Sequence, residues 1–388
     1  MQEKTKVILL LENGVHCIAE AVGITEPRYA ELIFNTSMFG YEEIITDQSY
    51  AGQAIVFTSP HIGAVGCTMN DMESCSISPS FIVVRSFEEY PSNYRAQCSL
   101  PEFLEKHGLP VIFNVDTRYL TTILREEGAL RCVVRPLIDE HDIELYKEEW
   151  LQELRAINPL EDIASRTCTV SKNTEWNEGL LDLSTETFTT SSSQVTVVVY
   201  DFGLKYSIVR ILSSLGARCI VVPQDTPAHE VLAMNPDGIC FSNGSGDPQD
   251  YTSAIQSAKE FLSHNIPLLG ICLGHQIFGL ALGAKTIKMK FGHHGANHPV
   301  QDCMTKKVYI TSQNHGFAVD PDSLPESAII THISLFDKSL QGFMLEEPPL
   351  FAFQGHPESS PGPHDIRTLF SRYMEKVMEY ASRHSNSD

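Results

Sequence analysis

The stretch Pro267-Leu-Leu-Gly-Ile-Cys272-Leu-Gly-His-Gln276 decides the fold that we predict for this 388-residue chain. The apolar run 267–271 predicts a buried strand, and residues 273–282 predict a helix directly after it. Cys272 stands at the junction between two glycines, which permit a sharp strand-to-helix turn of the kind that exposes a nucleophile. A helix N-terminus also favours the thiolate form of a cysteine. The stretch therefore predicts an α/β unit with a reactive cysteine at the carboxyl end of a strand.

Alternating strand and helix patterns precede this unit in the second half of the chain. Such alternation is typical of a parallel sheet with helices on both faces. We therefore predict an α/β domain with a mainly parallel, helix-flanked sheet over residues 194–388. The predicted strands are Val195–Tyr200, Arg218–Pro223 and Gly238–Phe241, and the predicted helices are Leu204–Leu215, which Gly216 ends, and Ser253–Ser263.

The first half of the chain predicts a separate domain of mixed α and β structure, residues 1–152. Two apolar runs, Val7–Leu11 and Val15–Val22, flank Asn13-Gly14, which is a strong signal for a tight β-hairpin. Further strand-like runs and one helical pattern follow. They are Ala54–Thr58, Phe81–Val84 and the helix Leu120–Glu127, which ends at Gly128.

A polar segment joins the two predicted domains. Residues 173–193 are rich in serine and threonine, and this composition is typical of a surface connection. We therefore place a connecting segment at residues 153–193.

Composition and charge exclude several classes of partner. The chain has 28 basic and 49 acidic residues, a formal net charge of −21, which would repel nucleic acids and anionic membranes. Its apolar runs are far shorter than the ~18 residues of a membrane helix. The first residues lack the apolar block of a signal peptide, so we expect a cytosolic protein. Neither GxxxxGK[ST] nor GxGxxG occurs, and we expect no nucleotide cofactor on this chain.

The ten cysteines occur singly, without CxxC or zinc-finger spacing, and are expected to be reduced thiols. Taken alone, Cys272 in its short glycine-flanked motif favours a buried core thiol over a nucleophile. A second motif, Phe351-Ala-Phe-Gln-Gly-His356-Pro-Glu358, changes that balance. His356 is predicted to accept the thiol proton and return it to the leaving amine, while Glu358 fixes the imidazole tautomer. The two motifs together indicate acyl transfer by a Cys-His-Glu triad.

Both motifs resemble the nucleophile and base motifs of the class I glutamine amidotransferases. A narrower resemblance, to the small subunits of carbamoyl-phosphate synthetases, extends from about residue 7 to 375. Its C-terminal part is carried by segments 200–205, 291–299, 311–317 and 353–363. Its N-terminal part is carried by Phe34-Asn-Thr-Ser-Met-Phe-Gly-Tyr41, Asp47-Gln-Ser-Tyr50, Pro60-His-Ile-Gly63 and Asp116-Thr-Arg118.

The resemblance implies the activity, the partner and the site. It implies hydrolysis of L-glutamine to glutamate and ammonia through a thioester. It also implies a heterodimer with a large ATP- and Mg-using subunit, which makes carbamoyl phosphate from bicarbonate for arginine or pyrimidine synthesis and receives ammonia through a tunnel. The N-terminal domain is the expected docking surface. The implied glutamine-binding residues are Ser49, Gly244, Gly246, Leu273, Gln276, Asn314, Gly316 and Phe317, with the backbone N–H groups of Gly244 and Leu273 forming an oxyanion hole.

Two segments depart from the family pattern, and a third segment invites a metal interpretation. Ser245 replaces a proline between two glycines, which predicts a more mobile loop, and residues 67–71 match poorly. His293, His294 and His298 lie among glycines, which argues against an aligned metal site and favours a loop near the active centre.

Two alternatives stay open on the residues. One is another class I amidotransferase chain or a stand-alone γ-glutamyl hydrolase, and the other is a catalytically silent regulatory subunit.

Overall fold

The computed structural model describes residues 4–161, 163, 167, 169–190 and 195–385, and it forms two compact units. Unit 1 comprises Met1–Arg166 and Lys290–His294, and unit 2 comprises Thr167–Met289 and Gly295–Asp388. The division at residue 167 falls inside the predicted connecting segment. Cys168 and residues 191–193 of that segment lie outside the described residues, as do residues 1–3 of the predicted start.

Unit 1 is built on a closed barrel of seven strands in the order β1-β2-β8-β6-β4-β3-β9. The predicted hairpin is confirmed, because β1 and β2 pair antiparallel up to Leu10 opposite His16. Strands β3, β4, β6 and β8 pair parallel in that succession. The strands of the unit are β1 Thr5–Leu11, β2 His16–Val22, β3 Arg28–Asn35, β4 Gln53–Phe57, β5 His61–Ile62, β6 Phe81–Val83, β7 Ser86–Phe87, β8 Val111–Phe113 and β9 Leu130–Pro136.

Helices cover the barrel, and its interior is apolar. The helices are α1 Tyr41–Ile45, α2 Leu100–His107, α3 Thr117–Glu127 and α4 His141–Ala156. Alternate residues of β1, Val7, Leu9 and Leu11, are buried in the barrel core. Leu10 faces the other way, into a cluster with Leu151 and Leu154 of α4. Because both faces of β1 are buried, its sequence is a continuous apolar run rather than an alternating one.

Unit 2 is built on a ten-stranded sheet in the order β10-β14-β13-β15-β16-β21-β20-β19-β17-β18. The five strands from β14 to β21 are mutually parallel, as predicted. On one side β10 pairs antiparallel, and on the other β20 and β19 continue the sheet antiparallel. The strands are β10 Thr174–Trp176, β11 Leu181–Asp182, β12 Thr187–Phe188, β13 Val195–Phe202, β14 Ala217–Pro223, β15 Gly238–Gly244, β16 Leu268–Ile271, β17 Thr286–Asp302, β18 Val308–Val319, β19 Ile329–Ser334, β20 Leu340–Leu345 and β21 Leu350–Phe353.

Five helices flank the sheet: α5 Tyr206–Ser214, α6 Ala228–Leu232, α7 Thr252–Phe261, α8 Leu273–Ala281 and α9 Thr368–Ser385. Each predicted strand and helix of this half is present within a few residues of its predicted bounds. Among the described residues no helix is both long and apolar enough to cross a membrane.

The predicted surface connection contains ordered structure. Strand β10 extends the main sheet by pairing with β14, and β11 pairs with β12 in a small hairpin. The ring of Trp176 packs 4.8 Å from that of Tyr206, and the backbone N–H of Val170 donates to Asp201 at 2.8 Å. These strands were not predicted, because each is only two or three residues long and the segment around them is rich in serine and threonine.

Candidate active site

Cys272 lies at the turn between β16 and α8, as the glycine-flanked motif predicts. Its backbone adopts φ 53° and ψ −102°, a region that a non-glycine residue occupies only under strain, at a cost of ~1–3 kcal/mol. Glycine is required on the helical side, because a Cβ atom at Gly274 would lie 2.2 Å from the carbonyl oxygen of Phe241. The strained backbone at Cys272 and the close approach of helix α8 to strand β15 are the features of a nucleophile elbow.

The sulfur of Cys272 is buried and contacted on two sides. The residue is 2% exposed. Its Sγ lies 3.5 Å from the carbonyl oxygen of Asn314, and the Nε2 amide of Gln354 donates toward Sγ at 3.9 Å. These contacts hold the sulfur in one position beside the first turn of α8.

His356 and Glu358 follow β21, the parallel neighbour of β16, so the carboxyl ends of two adjacent strands supply the three residues. The backbone N–H of His356 donates to the carbonyl oxygen of Ser312 at 2.9 Å. Its Nδ1 lies 2.6 Å from Oε1 of Glu358, and its Nε2 is buried without a hydrogen-bond partner among the described residues. The Glu358 contact fixes the tautomer and leaves Nε2 for the reaction.

The charge state of this histidine follows from its neighbours. Burial disfavours the imidazolium form, but the Glu358 carboxylate and then the Cys272 sulfur outweigh burial and raise the pKa of His356 to about 10. His356 therefore holds a proton at neutral pH. This modifies the predicted order of steps, because the imidazole already carries its proton before the sulfur attacks the substrate.

Lys205 is a further residue of the site that the sequence did not identify. Its Nζ donates to Oε1 of Glu358 at 3.0 Å and to the carbonyl oxygen of Ser359 at 2.7 Å, and its side chain is only 3% exposed. Burial would raise the pKa of Glu358, but Lys205 and then His356 lower it to about 2. A buried lysine cannot stay charged without such a partner, so the pair keeps the carboxylate ionised.

The two predicted oxyanion-hole residues are brought together. Gly244 ends β15 and Leu273 begins α8, and these elements meet at the same edge of the sheet. A Cβ atom at Gly244 would lie 2.5 Å from the carbonyl oxygen of Phe202 and 2.7 Å from Cδ2 of Leu273. Only glycine fits there. Gly246, also predicted, has φ +84°, which favours glycine.

Four other predicted glutamine-binding residues lie on α8 and β18. The Nε2 of Gln276 donates to the carbonyl oxygen of Phe317 at 2.8 Å and to Oε1 of Gln354 at 3.1 Å. Both amide hydrogens are thus engaged, and Gln276 offers a substrate its oxygen, which suits an ammonium rather than a carboxylate. Asn314 and Gly316 share β18 with Phe317, and a Cβ at Gly316 would meet nothing within 4 Å.

Ser49, the remaining predicted residue, lies in unit 1. It is buried in a single 3-10 turn, Gln48–Tyr50, and its backbone N–H donates to the side chain of Asp47 at 2.9 Å. Ser49 therefore differs from the other predicted residues, all of which belong to unit 2.

The contacts of Ser245 argue against the predicted mobility of its loop. The residue is buried, and its hydroxyl lies 3.3 Å from that of Thr167. The hydroxyl of Tyr251 donates to its carbonyl oxygen at 2.8 Å. These two contacts restrain the loop in place of the φ restriction that the proline of the family pattern would provide.

The histidine-rich segment is part of strand β17 and not a loop, so that prediction was wrong. His293 and His294 are buried. Long strands tolerate the glycines at 292 and 295 that suggested a loop, although glycine weakens a strand. In the part of the chain that is described, no group of three or more His, Cys, Asp or Glu residues is placed to hold a metal ion.

Comparisons with known proteins show which families the chain matches. The family described as Glutamine amidotransferase class-I matches residues 198–376, and the family described as Carbamoyl-phosphate synthase small chain, CPSase domain, matches residues 9–134. The carbamoyl phosphate synthase small chain of Thioalkalivibrio sulfidiphilus is 46% identical over 375 residues, 96% of this chain and 97% of that protein. That of Pectobacterium atrosepticum is 44% identical over 379 residues, 97% of this chain and 98% of that protein. Among solved structures, a glutamine amidotransferase from Thermotoga maritima matches with a TM-score of 0.36 and 20% identity, over 48% of this chain and 84% of its own.

Proposed function

The chain belongs to the carbamoyl-phosphate synthase small chain family, and from this premise we propose that Cys272, His356 and Glu358 carry its glutamine hydrolysis. The chain is the glutamine-hydrolysing subunit: it releases glutamate and ammonia, and a large subunit uses the ammonia to make carbamoyl phosphate. The observation that supports the assignment of residues is the buried His356 ring, whose Nδ1 is fixed by Glu358 2.6 Å away and whose pKa is raised in part by the Cys272 sulfur.

The first half of the reaction forms a thioester. The Cys272 sulfur, as a thiolate beside the imidazolium of His356, attacks the side-chain carbonyl carbon of glutamine. The backbone N–H groups of Gly244 and Leu273 stabilise the oxyanion, and loss of one such donor typically costs ~100- to 1,000-fold in rate. The C–N bond then breaks, and His356 gives its proton to the departing amine, which leaves as ammonia.

The second half releases glutamate. Water attacks the thioester carbonyl, and the neutral imidazole of His356 takes a proton from that water. The C–S bond breaks, the sulfur leaves as thiolate, and the imidazolium is restored. Lys205 and Glu358 act through His356 in both halves, because the ionised carboxylate stabilises the charged ring in a buried setting.

The remaining substrate contacts are proposed for the α-amino and α-carboxylate groups. The Oε1 atom of Gln276 accepts from the α-ammonium, since both hydrogens of that amide are engaged elsewhere. The rest of the substrate-binding position is lined by Asn314, Gly316 and Phe317 on β18 and by Gly246 in the loop after β15. Gly316 suits this role, because open space beside its backbone admits a ligand. Ser49 is proposed as the contribution of unit 1.

We further propose where the other steps occur. ATP and Mg²⁺ act on the large subunit, because this chain has no phosphate-binding glycine motif. Unit 1 docks that subunit, and ammonia passes to it through an enclosed tunnel. Nucleic acid is not a partner of a chain with net charge −21. The nine described cysteines are all free thiols, which supports a location in the reducing cytosol.

Glutamate release from glutamine tests the proposal. Purified wild type, Cys272→Ser and the control Cys75→Ser, an exposed thiol outside unit 2, are each assayed with and without ATP and the cognate large subunit. We expect activity that rises with the large subunit, persists in Cys75→Ser and vanishes in Cys272→Ser. Glutamate release that does not change when the large subunit is added would instead indicate a stand-alone hydrolase. No glutamate release in any combination would indicate a catalytically silent regulatory subunit.

A further inference from the structure

Unit 1 contains a groove that glutamine hydrolysis does not use. Its volume is about 730 Å³. Three arginines, Arg85, Arg118 and Arg125, line it together with Thr58, Pro60 and Thr121. Two of the segments that carry the N-terminal family resemblance, beginning at Pro60 and ending at Arg118, therefore meet at one place without a role in the amidotransferase reaction.

The barrel topology places these residues together. Strands β4 and β6 are parallel neighbours, and β6 is a parallel neighbour of β8. Thr58 directly follows β4, and Arg85 comes two residues after β6. Helix α3 begins four residues after β8 and carries Arg118 and Arg125 seven residues apart. Loops at the carboxyl ends of parallel strands commonly form ligand sites, and here they form one wall of the groove.

The arginines of the groove are unpaired. None of the three guanidinium groups forms an ion pair or a hydrogen bond with any residue that the structure describes, and all three side chains are exposed. Other arginines of unit 1 contact carboxylates: Arg95 pairs with Asp71, and Arg131 pairs with Glu12 at 2.8 Å. A chain with 49 acidic residues thus leaves a concentration of positive charge in one groove, which favours binding of an oxyanion from outside.

The spacing of the charges favours a polypeptide over a single small anion. Arg118 and Arg125 lie two helical turns apart on one face of α3, about 10 Å along the axis at 1.5 Å per residue. At this separation each of the two guanidinium groups can take a carboxylate of its own. A segment in the polyproline II conformation, with three residues per turn and a rise of about 3.1 Å per residue, presents carboxylates three residues apart on one face at nearly the same distance. The planar guanidinium fork binds such carboxylates in a bidentate manner.

We propose that this arginine groove docks an acidic segment of the large subunit, with carboxylates about three residues apart on Arg118 and Arg125 and a further one on Arg85. The proposal rests on the proposed function, since the partner that it requires is the large subunit. Unit 1 is the appropriate location, because the family matched by residues 9–134 is defined by small chains of this enzyme, whereas the general amidotransferase family matches residues 198–376.

Binding of the full-length chain to immobilised large subunit tests the proposal by surface plasmon resonance. The variants are Arg118→Glu/Arg125→Glu, the neutral pair Arg118→Gln/Arg125→Gln, and the matched control Lys106→Glu, an exposed residue of α2 outside the groove. We expect affinity to fall roughly 10-fold or more for the neutral pair and further for the charge reversal. Lys106→Glu should bind like wild type. Glutamine hydrolysis without the large subunit should be unchanged in all three, which also confirms folding.

Salt dependence separates electrostatic docking from a general loss of fit. Wild-type affinity should weaken as ionic strength rises, and the neutral pair should show a shallower dependence. Variants with wild-type affinity for the large subunit would overturn the proposal. A second outcome would also overturn it: inorganic phosphate or ATP raises the Tm of wild type but not of the variants, and the variants bind the large subunit as wild type does. That outcome would indicate a site for a small anion. Failure of wild type itself to bind would contradict the proposed function instead.

Discussion

Replacement of Gly274 by alanine tests how closely the elbow must pack. A Cβ atom at this position would lie 2.2 Å from the carbonyl oxygen of Phe241, whereas real Cβ contacts keep at least 3.0 Å. The difference, 3.0 minus 2.2, requires a shift of 0.8 Å or more. The atom to be moved is backbone in the central strand β15, so side-chain rotation cannot relieve the contact. Helix α8 must therefore move away from the sheet.

The expected magnitudes follow from this shift. Overpacking of a core costs about 1–3 kcal/mol, and alanine returns up to about 1 kcal/mol of helix propensity. We expect a net loss of about 1–2 kcal/mol, which lowers Tm by about 2–8 °C for a unit of this size. Cys272 directly precedes the displaced helix, and a misplacement near 1 Å can cost about 100-fold in rate. Catalysis should therefore be impaired more than folding.

Gly279→Ala supplies the matched control. It lies in the same helix and gains the same propensity, but its Cβ would be 2.9 Å from a side-chain carbon of Val319, only 0.1 Å inside the 3.0 Å limit. Glutamate release and calorimetric Tm are measured for both variants. We expect Gly279→Ala to stay within about threefold of wild-type activity, since a side chain yields more easily than backbone. Wild-type activity and Tm in Gly274→Ala would refute the argument that the elbow requires glycine there.

Three further predictions follow from buried contacts. Lys205→Met should destabilise the protein by about 3 kcal/mol in urea denaturation, because it leaves the buried carboxylate of Glu358 with one partner fewer; an unchanged urea midpoint would show that His356 alone suffices. Since the pKa of His356 is raised from 6.5 to about 10 and that of Glu358 is lowered from 4.5 to about 2, their contribution to stability is full between pH 4.5 and 6.5 and is lost toward pH 10 and toward pH 2. The difference in Tm between wild type and Glu358→Gln should therefore be largest in that window, and a difference independent of pH would contradict it. Ser245→Pro should leave glutamate release unchanged or raise it, as the lost 3.3 Å contact to Thr167 is worth less than about 1 kcal/mol; a large loss would show that the loop depends on serine.

Local patterns predicted the elements that local physics determines. The elbow at Cys272 was predictable because a short apolar strand, two glycines and a helix are contiguous in sequence. His356 and Glu358 were predictable for the same reason, since they lie two residues apart. The ladder of parallel strands also followed from alternating strand and helix patterns of ordinary length.

Features that depend on distant contacts were not predictable. Lys205 acquires its role from Glu358, 153 residues away, and no local pattern marks a lysine that will be buried. Strand β10 is only three residues long. Its pairing with β14, and not its own composition, makes it a strand. Both hydrogens of the Gln276 amide are engaged by residues 41 and 78 positions away, which narrowed its predicted role to that of an acceptor.

The membership of Lys290–His294 in unit 1 affects how the protein can be dissected. The polypeptide passes between units three times, so one cut near residue 166 does not yield two self-sufficient pieces. In unit 1 the carbonyl oxygen of Lys290 accepts from Ala129 at 3.0 Å, and that of His294 accepts from Thr36 at 3.2 Å. An isolated C-terminal fragment would carry this strand segment with those acceptors unsatisfied and would be prone to edge-to-edge aggregation. Co-expression of residues 1–166 in trans should restore solubility to the fragment.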